Sequence, residues 1–107
     1  MADVEDLRGA GGVAPTAIAP NWAAGQVVAV SGTSAQSAAI AAAAVTLTST
    51  TDCWITAGSN PTATAGAGSD FLPAGVKWTI PWLSGQKLAV IENASSGNLA
   101  IMPALSS

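Results

Sequence analysis

Only five charged residues follow Arg8 in this chain of 107: Asp52, Asp70, Lys77, Lys87 and Glu92. That scarcity constrains the fold more than any motif does. A soluble domain ordinarily devotes about 25–35% of its surface to Lys, Arg, Glu and Asp, whereas charged residues make up 8% of this whole chain. Ala, Gly, Ser and Thr take their place, supplying 56 of the 107 residues. Small neutral side chains make flat surfaces and let backbones approach closely. Extended uncharged surface of that kind marks interaction sites, so the domain is expected to be covered by other copies of itself, by a larger shell, or by both.

The other four charges, Asp3, Glu5, Asp6 and Arg8, crowd the first eight residues. Gly9, Gly11, Gly12, Pro15 and Pro20 follow them, and such a mixture sustains neither a helix nor a central strand. Residues 1–24 therefore read as an arm, extended or flexible when isolated. Trp22, near its end, reads as an anchor onto the domain body or a neighbour. Residues 25–107 form the domain proper.

From Gly25 onward the pattern is that of short strands. Gln26 to Ser31 is β-branched and flanked by glycines. In Ala44 to Thr48, Val45 and Leu47 share one face; in Cys53 to Ala57, Cys53, Ile55 and Ala57 share a face opposite Trp54 and Thr56. Val76 to Ile80 alternates, with Val76, Trp78 and Ile80 inward. Lys87 to Ile91 and Leu99 to Met102 complete the set. Turn residues separate the later runs at 58–68, 73–75, 84–86 and 95–98. Short strands with this punctuation predict an all-β fold, a small β-sandwich or jelly-roll-like domain preceded by the arm. Ser37 to Ala44 is alanine-rich, which favours helix locally. It is short and its flanks are strand-like, so extended chain is expected there. Leu88 to Ile91 is apolar on both faces. Such a strand is either covered on both sides within the domain or packs its outer face on another subunit.

The residue inventory excludes most chemistry. There is no His, hence no usual general base at neutral pH and no Ser-His-Asp or Cys-His arrangement within one chain. Cys53 is the only cysteine, so no intrachain disulfide or Cys-rich zinc site can form; it reads as a small buried apolar residue. No catalytic, cofactor-binding or metal site is expected. Three basic residues and a net charge of −3 argue against nucleic acid, which needs a cluster of Lys and Arg. The longest apolar run, Ala38 to Val45, is eight residues, against about 20 for a spanning helix. The acidic start is unlike a secretory signal, so synthesis in a cytoplasm without standard secretion is expected.

Letter matches to catalytic motifs lack their context. Gly9 to Ala14 fits a dinucleotide fingerprint, but no strand precedes it. Ser84-Gly85-Gln86-Lys87 fits S-x-x-K, but sits in a glycine turn before a strand. Asn93-Ala94-Ser95 reads as a polar turn, and Asp52 and Asp70 as turn-capping carboxylates. Among the aromatics, Trp78 reads as core by alternation. Trp54 and Trp82 lie off the inward set and join Trp22 and Ile91 as candidate interface residues.

Four stretches carry a resemblance: Thr51-Asp52-Cys53-Trp54-Ile55, Gly58-Ser59-Asn60-Pro61-Thr62-Ala63, Phe71-Leu72-Pro73-Ala74-Gly75, and Gly85-Gln86-Lys87-Leu88-Ala89-Val90-Ile91. Over about residues 44–103 the chain resembles a family of small tailed-bacteriophage virion structural proteins. The resemblance implies a compact β fold that decorates or cements a capsid, and supplies no catalytic residue. The expected partners are then the major capsid protein and other copies of the chain, as a trimer or dimer. The expected location is the capsid surface of the virion, after synthesis in the host bacterial cytoplasm. A place at the head–tail connector or tail, and a carbohydrate-binding role in host attachment, are the alternatives.

Overall fold

The computed structural model describes residues 6–7, 9–10 and 19–105. Of the arm read over residues 1–24, positions 1–5, 8 and 11–18 lie outside the described residues. Among the described residues, Asp6–Leu7 and Gly9–Ala10 pair with each other as a separate two-stranded sheet.

Eight strands build the domain: β1 (Gln26–Val30), β2 (Ala35–Gln36), β3 (Ala44–Ser49), β4 (Cys53–Gly58), β5 (Asp70–Leu72), β6 (Trp78–Pro81), β7 (Lys87–Glu92) and β8 (Gly97–Pro103). They form two antiparallel four-stranded sheets, ordered β1-β8-β3-β6 and β2-β7-β4-β5. The pairs β1–β8, β2–β7, β3–β6 and β4–β5 are those of one long antiparallel ribbon, strands 1–4 against 5–8, rolled so that it closes on itself. That winding is the jelly roll, one of the ways an all-β chain reduces its exposed edges. The sandwich expected from the strand spacing is therefore present.

The core lies between the sheets and follows the alternation. Val45, Leu47 and Ser49 of β3, with Leu99 and Ile101 beside them on β8, form the inner face of one sheet, and Cys53 and Ile55 of β4 and Leu88 and Val90 of β7 that of the other, all buried. Leu72 and Ile40 join the same buried cluster. The alanine-rich segment Ser37–Ala44 is not helical; it runs irregularly, with an isolated bridge at Ile40 and a bend at Ala42–Ala43 before β3. After β2, Ser37 N–H donates to Leu88 O (2.7 Å) and Ile40 N–H to Gln86 O (2.9 Å), so the chain stays beside β7. Two turns use glycines in the left-handed region that L side chains avoid. Gly75 (φ 76°) follows Pro73-Ala74, and Gly85 (φ 93°) precedes Gln86. These are the L-P-A-G and S-G-Q segments read as turns.

Trp78 departs from the core expectation. It lies opposite Leu47 on the inward side, but β6 is an edge strand and Trp78 remains 36% exposed. Val76 falls outside β6 and is exposed. The end of the arm region is tied to the body. Asn21 N–H donates to Pro103 O (2.8 Å) and Leu105 N–H to Ala19 O (2.7 Å), followed by a single 3-10 turn at Trp22–Ala24.

Candidate interaction surface

The two outer faces of the sandwich differ. On β2-β7-β4-β5, one cross-strand row is Gln36, Ala89 and Thr56. Ala89 is fully buried although it points away from the core. The loop after β4 accounts for this. Gln36 Nε2 donates to Asn60 Oδ1 (2.9 Å) and Pro61 O (2.8 Å), and Ala63 N–H donates to Ser34 Oγ (2.8 Å). Residues 59–63 thus pass from β4 over β7 to β2, with Pro61 and Ala63 of this loop buried against the sheet. Of the two explanations for the non-alternating Leu88 to Ile91, internal covering holds at Ala89. The inference that this strand needs another subunit loses its support there.

The next row on the same face is Ile91, Trp54 and Phe71. Trp54 and Phe71 meet edge to face, with ring centroids 5.1 Å apart and planes at 63°, a favoured geometry for aromatic pairs. Trp54 Nε1 donates to Asn93 Oδ1 (3.1 Å), which fixes the indole. Ile91 and Trp54 are half-buried and Phe71 is exposed.

The outer face of β1-β8-β3-β6 carries the rows Val27, Ala100, Thr48 and Met102, Thr46, Thr79, with Ala29 and Asn98 beyond. The Thr46 and Thr79 hydroxyls are hydrogen-bonded across the strands at 2.9 Å. Trp22 is 75% exposed and Val27 70%. A shallow groove of about 330 Å³ runs along this face between Pro20 and Trp22 on one side and Lys77 on the other.

The five charges of the domain avoid the middle of both faces. Asp52 precedes β4, Asp70 opens β5, Lys77 precedes β6, and Lys87 and Glu92 open and close β7. Two have structural tasks: Asp52 Oδ1 accepts from Ala74 N–H (2.8 Å) at the Pro73 turn, and Glu92 Oε1 accepts from Ser96 Oγ (3.1 Å). Apart from Lys77, which borders the groove on the β1-β8-β3-β6 face, what remains on the faces is neutral and mostly small.

The four candidate interface residues are not brought together. Trp54 and Ile91 are adjacent on one outer face, and Trp22 borders the other. Trp82 follows β6 and packs partly buried against the core. Its Nε1 is buried without a hydrogen-bond partner among the described residues, so this ring offers less to a partner than the other three. Val27, Met102 and the threonines of β3 and β6 are not among the candidate interface residues, although alternation reads Thr46, Thr48 and Thr79 as outward.

Cys53 is fully buried. Burial pushes its thiol above the ordinary range, a hydrogen bond with Ser49 opposes this, and the Asp52 charge adds to it. A thiol so placed is not a nucleophile at neutral pH. Among the described residues no group of three His, Cys, Asp or Glu side chains converges to hold a metal, and no helix is long and apolar enough to cross a membrane. The fold and surface define a class: a jelly-roll domain with neutral outer faces. No family model, curated protein or solved structure matches the chain.

Proposed function

We propose that this chain is a structural protein of a bacteriophage virion, a decoration or cement protein that sits on the capsid surface and stabilises the head by binding across capsid subunits. The observation that carries the reading is the placement of all five domain charges at or beside strand ends, which leaves the Val27–Ala100–Thr48 and Met102–Thr46–Thr79 rows as neutral ground bordered by Lys77. A surface of this kind gains by being covered, at about 25 cal/mol per Å² of apolar area before entropic costs. The fold is compatible, since jelly rolls serve in viral capsids and lectins, and the motif resemblance over residues 44–103 points the same way. The partners on this reading are the major capsid protein and other copies of the chain, with no enzymatic step and no cofactor. Shells carrying the protein should resist heat better than shells stripped of it; equal melting of the two removes the cement role.

A second reading, a carbohydrate-binding module for host attachment, draws on the outward Trp54–Phe71 pair. Glycan-array binding that is lost in Trp54→Ala would favour it over the shell.

A further inference from the structure

We propose that β1 is a self-pairing edge: two copies of the chain join by antiparallel β1–β1 pairing about a two-fold axis at Val28, making one continuous eight-stranded sheet. The inference rests on the self-association part of the reading above, and is independent of the capsid.

A jelly roll keeps four sheet edges, here β1, β6, β2 and β5. Natural edges are blunted by shortness, charge or proline. Three of these are: β2 has two residues, β5 has three and opens on Asp70, and β6 has four, ends on Pro81 and follows Lys77. The exception is β1. It has five residues, Gln-Val-Val-Ala-Val, with no charge and no proline, paired residue for residue with β8.

The backbone phase of β1 follows from its neighbours. On β8 and its extension, Asn98 O and Ala104 N–H bond on the β3 side (to Thr50 N–H and Ala44 O), whereas Pro103 O and Leu105 N–H bond on the β1 side. Odd-numbered residues of β8 therefore face β1. Their partners Gln26, Val28 and Val30 use their backbone groups inside the sheet. The N–H and C=O of Val27 and Ala29 point outward, and among the described residues nothing pairs with them.

This edge is complementary to itself. With Val28 on the two-fold axis, Val27 of one copy stands opposite Ala29 of the other. Each such pair exchanges two N–H···O=C bonds, as hydrogen-bonded antiparallel pairs do. Four bonds form, all four outward donors and acceptors are used, and no like charges meet. The Val27 side chain, exposed in the single copy, gains a cross-strand neighbour. The same register carries Trp22 toward the partner's turn at residues 31–34. Closed two-fold pairing of this kind ends the association at two.

The test is sedimentation of the purified full chain over a concentration series, without any shell. The chain should reach the mass of two copies. Ala29→Pro removes only an outward donor, and Val27→Lys adds a charge at an exposed edge position; each should halve the mass with an unchanged circular dichroism spectrum. Should Ala29→Pro misfold, Val27→Lys decides alone. A wild-type chain that stays single, one that forms trimers, or a dimer indifferent to Val27→Lys overturns the proposal. Any of these leaves the shell-melting test of the capsid reading untouched.

Discussion

Gln36 and Ala89 stand opposite each other in the β2–β7 ladder, and the Gln36 amide holds the loop that hides Ala89 from solvent. The position of one side chain thus explains the burial of another on what should be an outer face. Gln36→Ala removes two hydrogen bonds, each worth about 0.5–1.5 kcal/mol net. We expect a loss of about 1–3 kcal/mol on that basis, measured by urea unfolding, together with faster amide exchange at Ala63. Unchanged exchange at Ala63 would falsify the role given to Gln36.

The complementary change is Ala89→Leu. The space between β7 and the 59–63 loop is filled, and overpacking a filled site costs about 1–3 kcal/mol. The loop should lift rather than the sheet part, because its far side is solvent. Protease cleavage within residues 59–69, absent in the parent chain, is the expected sign.

These two residues also show what was legible in sequence and what was not. Alternation placed Val45, Leu47, Cys53 and Ile55 correctly, because a period of two survives wherever a strand has one wet and one dry face. Leu88 to Ile91 broke the period, and the breach had two readings that local pattern cannot separate. Its cause lies at Pro61 and Ala63, more than twenty residues away. Strands β2 and β5 are too short to have a period at all. Trp82 lies beyond the end of β6, where alternation has no meaning, and tertiary packing turned it inward. Trp78 kept the inward phase, but sequence does not show that its strand is an edge.

Cys53 makes stability depend on pH in one direction. Its folded pKa is raised by burial, so the folded state holds the thiol proton more tightly than the unfolded state. The contribution is fully present below the unfolded value of about 8.5, and is lost as pH rises through the folded value. The chain should lose stability on the alkaline side of pH 9, and Cys53→Ala should flatten that decline. Native protein should also resist thiol reagents at neutral pH and react once unfolded.

Gly97 opens β8 where a Cβ would lie 2.5 Å from Thr50 Oγ1 and 2.8 Å from Thr51 Cγ2. Those threonines are engaged: Thr50 Oγ1 accepts from Asn98 N–H (2.9 Å) and Thr51 Oγ1 donates to Ser95 O (2.9 Å). Neither can yield without breaking its bond. Gly97→Ala should therefore cost about 1–3 kcal/mol, the range for forcing extra volume into a packed site. Thermal melting of Gly97→Ala beside Thr50→Ala checks it, since shortening Thr50 in the double variant should recover part of the loss.

The neutral outer face predicts how binding to a shell responds to salt. Salt screens interactions between exposed charges more than a Debye length apart, about 8–10 Å at ordinary ionic strength, and among the described residues the β1-β8-β3-β6 face offers only Lys77, at the border of its groove, to screen. If that face meets the capsid, retention on shells should change little between low and high salt. Strongly excluded salts such as sulfate should tighten it. Thr48→Asp places a carboxylate amid the Val27–Ala100–Thr48 row. The chain should still fold, because that side chain points outward, but the carboxylate would have to be desolvated on docking. Shell pull-down should then fall steeply for Thr48→Asp and stay near the parent level for Thr56→Asp on the opposite sheet. Equal loss in both variants would move the contact off this face.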